Sequence, residues 1–349
     1  MIYFNNDYSE GCHPRILEAL TATNFQQTPG YGMDDHCRAA ADKIKELCGR
    51  EELDVHFLVG GTQANLTVID AALRPYQAVI CAESGHIHVH ETGAVEATGH
   101  KVLALPSADG KITAQQVDEL CSSYFLQDGP EHMVSPRMVY ISHPTELGTL
   151  YTRRELEELS RICRKWGQAL FLDGARLGYG MAAPGSDVGW AELAACCDVF
   201  YIGGTKVGAL FGEAVVFTNR EIARDFRFMI KQHGGMLAKG RLLGLQFKVL
   251  LEDGLYLRFA SRAVALADKI RACLASAGYP LLLPGDTNQI FTVLPDVALQ
   301  ALNKDFCFNY HQRMDDTHSA VRICTSWATR EEDVAALCDA IKNTAAITK

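Results

Sequence analysis

Three short segments of the chain carry residue types that can bind or activate a ligand. The first is Gly60–Gln63 (GGTQ), which follows a strand-like run and opens a helix-like one. Backbone N–H groups at a helix start are unpaired, the helix dipole favours an anion there, and glycines let a phosphate approach the backbone. The spacing is not G-x-G-x-x-G, which disfavours a dinucleotide site. Taken alone, the segment could also be a plain strand-to-helix turn.

The second segment is Asp173–Arg176 (DGAR), at the C-terminal end of an apolar strand pattern. Open α/β sheets bind their ligands at such strand ends. A carboxylate at Asp173 can pair with the protonated nitrogen of a pyridine ring, which keeps that ring an electron sink for a carbanion. Arg176 can bind a substrate carboxylate through its guanidinium fork. For this segment alone, a surface ion pair is the alternative.

The third segment is Gly203–Lys206 (GGTK), just after a strand pattern at 198–202. Burial among small and apolar residues would lower the pKa of Lys206 and leave a free amine for a Schiff base. By itself, a lysine after two glycines is usually a solvated loop residue. The order of the three segments favours the Schiff base, because we expect them to follow consecutive parallel strands and to converge on one edge of a sheet.

A run of histidines, His86, His88 and His90, suggests a different site. At alternate positions of a strand they would share one face and could chelate a metal. Glu91 would then point to the opposite face, and the polar turn before the run makes a helical conformation an alternative. We favour a single histidine, His86, stacked on a planar cofactor, and therefore expect no metal site.

Alternating strand and helix patterns must position these residues. They predict a mostly parallel sheet with helices on both faces and, after residue 220, a smaller α+β domain. The strand patterns lie at 55–59, 78–82, 101–105, 137–142, 169–172, 198–202, 213–217, 289–295 and 321–327. The helix patterns lie at 35–48, 62–73, 113–126, 153–166 and 330–343, with long ones between 220 and 278.

The domain organisation that follows has three parts. Residues 1–33 are polar and turn-rich, and we expect an N-terminal arm there rather than a core element. A large ligand-binding domain would span 34–240, and a small C-terminal domain 241–349.

The composition excludes several classes of protein. The net charge of -9 disfavours a nucleic-acid partner. No apolar run reaches the roughly 18 residues of a membrane span, and the N-terminus does not resemble a signal peptide. The twelve cysteines are scattered without a C-x-x-C pair, which indicates reduced cysteines in the cytoplasm.

Five motifs together carry a resemblance to a known family. They are VGGTQANL at 59–66, HIHVHETGA at 86–94, LDGARL at 172–177, GGTK at 203–206 and VRICTSWAT at 321–329. With them the chain resembles the threonine aldolases, within the β-eliminating lyase group of fold-type I pyridoxal 5′-phosphate (PLP) enzymes. It resembles most the phenylserine aldolase branch, which shares TELGTLYT at 145–152 and the FNYHQR segment at 308–313.

The resemblance implies a role for each candidate residue around the cofactor. Lys206 would carry PLP as a Schiff base, and Gly61 and Thr62 would contact its phosphate. His86 would stack over the pyridine ring, and Asp173 would bind the ring nitrogen.

The resemblance also implies substrate contacts and an assembly. Arg176 and Arg322 would bind the substrate carboxylate, with Asn6 at the position where the family usually has a serine. Glu146 stands where familiar members have a histidine, so Glu146, His86 or a bound water would act on the β-hydroxyl. A homodimer or a dimer of dimers is implied, in which Tyr31 reaches into a neighbour's site.

The implied reaction cleaves the Cα–Cβ bond of a β-hydroxy-α-amino acid of the threonine, allo-threonine or phenylserine type to glycine and an aldehyde. The same cofactor chemistry would serve a β-eliminating lyase or a racemase. An alternative of another class is a histidine–metal protein that uses residues 86–90. An inactive interaction protein is disfavoured, because Asp173, Arg176, Lys206 and Arg322 occur together.

Overall fold

The computed structural model describes residues 1–348. Its strands are β1 (Ile2–Tyr3), β2 (Asp54–Leu58), β3 (Gln77–Ala82), β4 (Lys101–Leu105), β5 (Ser135–Ser142), β6 (Ala169–Asp173), β7 (Val199–Gly203), β8 (Glu213–Phe217), β9 (Gln289–Pro295), β10 (Phe306–Cys307), β11 (Asn309–Arg313) and β12 (His318–Cys324). Its helices are α1 (Pro14–Ala22), α2 (Asp35–Cys48), α3 (Gly61–Ala72), α4 (His86–Val89), α5 (Ala94–Ala97), α6 (Ala114–Phe125), α7 (Arg153–Trp166), α8 (Leu177–Ala182), α9 (Trp190–Cys196), α10 (Arg220–Ala223), α11 (Phe226–Gln232), α12 (Arg241–Leu251), α13 (Leu255–Ala277), α14 (Asp296–Leu302) and α15 (Glu331–Thr348). Short 3-10 helices lie at Pro130–His132 and Glu252–Gly254.

The central sheet has seven strands in the order β2-β8-β7-β6-β5-β3-β4. Strand β8 is antiparallel to both β2 and β7, and the other neighbours are parallel. The predicted mostly parallel sheet is therefore confirmed. The expectation of consecutive parallel strands is wrong in one respect, since β8 separates β2 from β7. Because β2 and β7 both run opposite to β8, they are parallel to each other and end at the same edge.

Strands β7 and β8 are buried along their whole length. Helices cover both faces of the sheet, so these strands appear in the sequence as continuous apolar runs without alternation. Two of the helices that pack on the central sheet, α7 beside β6 and α2 beside β2, have well-defined ends. Helix α7 begins with a capping box between Thr152 and Glu155 and ends at Gly167, which adopts φ 63°. Helix α2 is capped by the Asp34 side chain and ends at Gly49 with φ 66°.

The N-terminal segment contributes to two of the hydrophobic cores of the described residues. Strand β1 pairs with β10, and Phe4 is buried in the C-terminal core. Helix α1 buries Ile16 in the core below the central sheet. The expectation that residues 1–33 contain no core element is therefore wrong. Phe4 and Ile16 are surrounded in the sequence by polar and turn-forming residues. Their burial depends on packing against distant parts of the chain, which the local pattern does not indicate.

The C-terminal part forms a second, smaller sheet in the order β11-β12-β9, packed with α13, α14 and α15. Its predicted last strand, 321–327, instead spans His318–Cys324. The chain leaves the sheet there because Thr325 Oγ1 donates to Ala263 O at 2.7 Å and Ser326 N donates to Thr329 Oγ1 at 2.7 Å. Residue 349, the end of the predicted small domain, lies outside the described residues. Every helix within residues 1–348 is too short or too polar to cross a membrane.

Candidate active site

A cavity of about 330 Å³ opens at the edge where β2, β6 and β7 end. It brings together most of the residues predicted from the sequence. Among the side chains and backbone groups that line it are Gly61, Thr62, His86, Glu146, Asp173, Arg176 and Lys206. Tyr8, Ser142, Pro144, Tyr201, Thr205, Phe211 and Glu213 line it as well.

The floor on one side is the start of α3. Gly60 precedes the helix in an extended conformation and offers no side-chain cap, so the first N–H groups of α3 lack intrahelical acceptors. A Cβ atom at Gly61 would lie 3.0 Å from the Tyr201 hydroxyl oxygen, so glycine keeps this approach open. Gln63 stabilises this turn, because its Nε2 donates a hydrogen bond to His233 O at 3.1 Å. This geometry suits a phosphate group.

Asp173 ends β6 and is almost fully buried. Its Oδ2 accepts hydrogen bonds from Tyr140 Oη at 2.5 Å and from Asn65 Nδ2 at 3.2 Å, and its Oδ1 accepts from Ala175 N at 2.9 Å. Burial raises the pKa of Asp173, but the His86 charge and the tyrosine hydroxyl donors outweigh it and hold that pKa below its ordinary value. The carboxylate is therefore ionised and oriented, as the partner of a protonated ring nitrogen must be.

The histidine run is helical, which is the alternative that the polar turn before it had indicated. His86 begins α4, and His88 and His90 are exposed. The turn carries Glu91 back to His86, whose Nδ1 lies 2.8 Å from Glu91 Oε1. Among residues 1–348, no three His, Cys, Asp or Glu side chains are grouped so that they could hold a metal ion.

Glu146 lies beside His86 on the loop after β5. Its Oε1 accepts from Ser142 Oγ at 2.6 Å and from the His86 backbone N–H at 2.9 Å. Burial raises the pKa of Glu146, and the nearby Asp173 charge acts in the same direction. A carboxylate that is oriented by two donors and whose pKa is raised is suited to accept a proton from a substrate.

Lys206 follows β7 and lies beside the start of β8. Burial and the Arg176 charge lower the pKa of its amine. Glu213, the first residue of β8, accepts from Thr205 Oγ1 at 3.3 Å, and burial raises its pKa to about 8. The free amine needed for imine formation is thus favoured at Lys206.

Arg176 is already engaged by a residue that sequence reasoning did not assign to the site. Its Nε and Nη2 donate to Asp7 Oδ2 and Oδ1 at 2.7 and 2.9 Å. Asn288 Nδ2 also donates to Asp7 Oδ2 at 2.9 Å. One edge of the guanidinium fork is therefore occupied, and a substrate carboxylate would have to use Nη1.

Three predicted residues lie outside the cavity of the single chain. Arg322, on β12, donates to Gln289 Oε1 at 3.3 Å and to Asn5 O at 3.2 Å. Asn6 accepts from the Tyr8 backbone N–H and from Ser9 Oγ. Tyr31 is half exposed and lines a separate cavity with Arg227.

Comparison with known proteins decides the family. Residues 8–296 match the family model of the beta-eliminating lyases, which is most of the chain. The chain belongs to the beta-eliminating lyase family. Two similar family members are low specificity L-threonine aldolases. That of Pseudomonas sp. (strain NCIMB 10558) is 33% identical over 335 residues, covering 95% of this chain and 94% of that protein. That of Pseudomonas aeruginosa is 32% identical and covers 86% of each.

Two solved structures are similar to the chain, one in sequence and fold and the other in fold alone. The threonine aldolase of Leishmania major is 43% identical, with a TM-score of 0.96 over 99% of this chain and 100% of that one. Aspartate aminotransferase from Thermus thermophilus is only 15% identical but has a TM-score of 0.71 over 99% of this chain and 91% of that one. That second likeness shows the fold alone, and it is the fold-type I architecture predicted from the sequence.

Proposed function

We propose that this beta-eliminating lyase family member is a PLP-dependent aldolase that cleaves a β-hydroxy-α-amino acid to glycine and an aldehyde. The observation that carries this proposal is the convergence of Gly61 and Thr62, Asp173 and Lys206 on one cavity. The names of the Pseudomonas and Leishmania relatives support the same reaction.

The residues of the cavity fit PLP. The open N–H groups of α3 and the Thr62 hydroxyl suit its phosphate, the buried Asp173 carboxylate suits its ring nitrogen, and the desolvated Lys206 amine suits its aldehyde. His86 lines the cavity, where its ring can stack on the cofactor. When bound, PLP supplies an electron-withdrawing ring that accepts the electrons of the broken Cα–Cβ bond.

The chain's own residues bind the substrate and move its protons. Arg176 binds the substrate carboxylate through Nη1, because Asp7 occupies Nε and Nη2. The family resemblance adds Arg322 and Asn6 to this contact, although neither lines the cavity of the single chain. Glu146 takes the proton of the β-hydroxyl as the aldehyde leaves, because two donors orient it and its pKa is raised. Lys206 returns a proton to Cα and releases glycine.

An aromatic β-substituent suits this cavity, in agreement with the resemblance to phenylserine aldolases. Tyr8, Phe211 and Pro144 contribute apolar surface to the lining of the cavity that His86 also lines. We expect the ratio kcat/KM to be higher for phenylserine than for threonine. Equal or inverted values would contradict this preference.

A homodimer or homotetramer with shared active sites belongs to the same proposal. Tyr31 stands with φ 60° on an exposed turn, near exposed Met33 and Phe228, and would reach a neighbour's cavity. Sedimentation and a Tyr31→Phe variant test this arrangement. The twelve unpaired cysteines support a cytoplasmic location.

A product assay tests the proposed reaction. Purified holoenzyme is mixed with threonine, allo-threonine and phenylserine in both configurations, and glycine and aldehyde are measured. Formation of both from at least one substrate is expected. Release of a 2-oxo acid with ammonia would instead identify elimination, and inversion at Cα would identify a racemase.

A further inference from the structure

A buried carboxylate supports the histidine of the cavity. Glu91 has no exposed side-chain surface, and its Oε1 lies 2.8 Å from His86 Nδ1. The His86 side chain itself is about one third exposed and lines the cavity. Contact with a carboxyl oxygen at Nδ1 orients the imidazole ring and favours a proton on that nitrogen.

Glu91 is also tied to the carboxylate of Asp173. The amide nitrogen of Asn65, on α3, donates to Glu91 Oε1 at 2.7 Å and to Asp173 Oδ2 at 3.2 Å. One neutral amide therefore bridges two buried carboxylates. Glu91 Oε2 is buried without a hydrogen-bond partner in the described residues. A buried carboxylate in this position needs a cation nearby, and His86 is the ionisable group in direct contact with it.

We propose that Glu91 is a positioning residue, which holds His86 as an imidazolium against the cofactor ring. The proposal rests on the proposed function, since it assumes that the cavity holds PLP. A cation stacked on that ring stabilises the negative charge that accumulates when the Cα–Cβ bond breaks. Asn65 then couples the position of this cation to Asp173, the carboxylate that would bind the ring nitrogen.

The charges around His86 agree with this role. Burial lowers the pKa of His86. The Glu91 hydrogen bond and the Asp173 and Glu91 charges raise it by more than burial lowers it, so the pKa of His86 lies above its ordinary value. The groups that face His86 are Glu91 on its own turn, Asp173 on β6, Glu146 after β5, Lys206 after β7, and His90, whose ring centroid lies 5.5 Å away.

Proton titration of His86 tests the proposal directly. The holoenzyme is labelled with 13C at histidine Cε1, and a His86→Asn variant identifies the His86 signal among those of the twelve histidines. We expect the wild-type midpoint above about 6.5. Glu91→Gln keeps the shape and removes the charge, and should lower the midpoint by about one to three pH units. Glu96→Gln, at an exposed position on α5, is the control and should leave it unchanged.

The activity profile provides a second measurement. Cleavage should fall at high pH as His86 loses its proton, and in Glu91→Gln this fall should move to lower pH. A purely structural role would lower the rate at every pH without moving the profile. If Glu91→Gln does not fold, Glu91→Asp, which keeps the charge with a shorter reach, should give a His86 midpoint below that of the wild type, and an unchanged midpoint would overturn the proposal.

Two results would overturn the proposal. One is a wild-type His86 that titrates below about 6.5, and the other is a midpoint that Glu91→Gln leaves in place. Failure of the aldolase reaction is a separate outcome, because the titration of His86 does not depend on turnover.

Discussion

Asp7 and Arg176 form a buried ion pair through two hydrogen bonds, although 169 residues separate them in the chain. Asp7 is fully buried, and the Arg176 side chain is only 12% exposed. Burial raises the pKa of Asp7, but Arg176 and Lys206 hold it below its ordinary value. The pair fixes the guanidinium at the mouth of the cavity.

Loss of one partner should therefore be costly. In Asp7→Asn the Arg176 charge stays buried without a counter-ion, and the free energy of unfolding should fall by about 3–5 kcal/mol in urea denaturation. The control is Asp35→Asn, which removes the partner of Arg38 from a mostly exposed pair. That change should cost about 1 kcal/mol or less. Equal losses in the two variants would show that the buried pair is not important for stability.

Replacement of Lys206 should remove the covalent attachment of the cofactor. Lys206→Ala should lose the visible absorbance of lysine-bound PLP and at least about 10³-fold in kcat, because no other buried amine reaches the cavity in the described residues. Lys304→Ala, at an exposed position, should retain both. A coloured and active Lys206→Ala protein would contradict the assignment.

Glu146→Gln should lower kcat by about 10²- to 10⁴-fold, the usual contribution of a general base. The raised pKa of Glu146 predicts that wild-type activity rises with pH through a midpoint above the ordinary 4.5 of a glutamate. This acidic limb should disappear in the variant. Glu119→Gln, on the exposed face of α6, should keep the wild-type profile. Survival of the acidic limb in Glu146→Gln would assign the base elsewhere.

His143 should make the fold sensitive to acid. Burial lowers its pKa from 6.5 to about 4, and its Nδ1 accepts from Tyr151 N at 3.3 Å. Between these values the unfolded chain binds more protons than the folded one, so the free energy of unfolding falls as pH decreases from 6.5 toward 4. The contribution is about 3 kcal/mol.

The measurement compares urea denaturation at pH 7 and pH 5 for the wild type and His143→Asn. The asparagine oxygen can replace Nδ1 as the acceptor, but it cannot be protonated. The variant should lose less stability between the two pH values than the wild type, whatever its stability at pH 7. If the free energy of unfolding fell by the same amount in both proteins, protonation of His143 in the folded protein would not be responsible for the loss of stability.

Much of the site was predictable because it lies at strand ends. Asp173 and Lys206 follow apolar runs that could hardly be anything other than buried strands. Strand β8 was predicted within the correct bounds, but not its direction. The missing helix pattern between β7 and β8 was the available signal, since a parallel connection needs a crossover of about a dozen residues.

The supporting residues could not be predicted in the same way. Asn65 lies 108 residues before Asp173, and their contact exists only because α3 and β6 meet at one edge. The contact between Glu91 and His86 could not be predicted because three alternating histidines are compatible with a strand as well as a helix, and only the helical turn that begins after Gly85 brings Glu91 back to His86. Asp7 occurs in a polar segment whose burial depends on Arg176 and Asn288, far away in the sequence.

The reversed direction of β8 brings its first residue, Glu213, to the same edge as the last residue of β7. Glu213 pairs with Gly203 across the two strands, so the connection between them is a hairpin that carries Lys206. If this hairpin were grafted onto another protein as one segment, the Lys206 amine and the Glu213 carboxyl would keep their relative positions. A one-residue shift of that register would turn the Glu213 side chain to the opposite face of the sheet and leave the transplanted lysine without it.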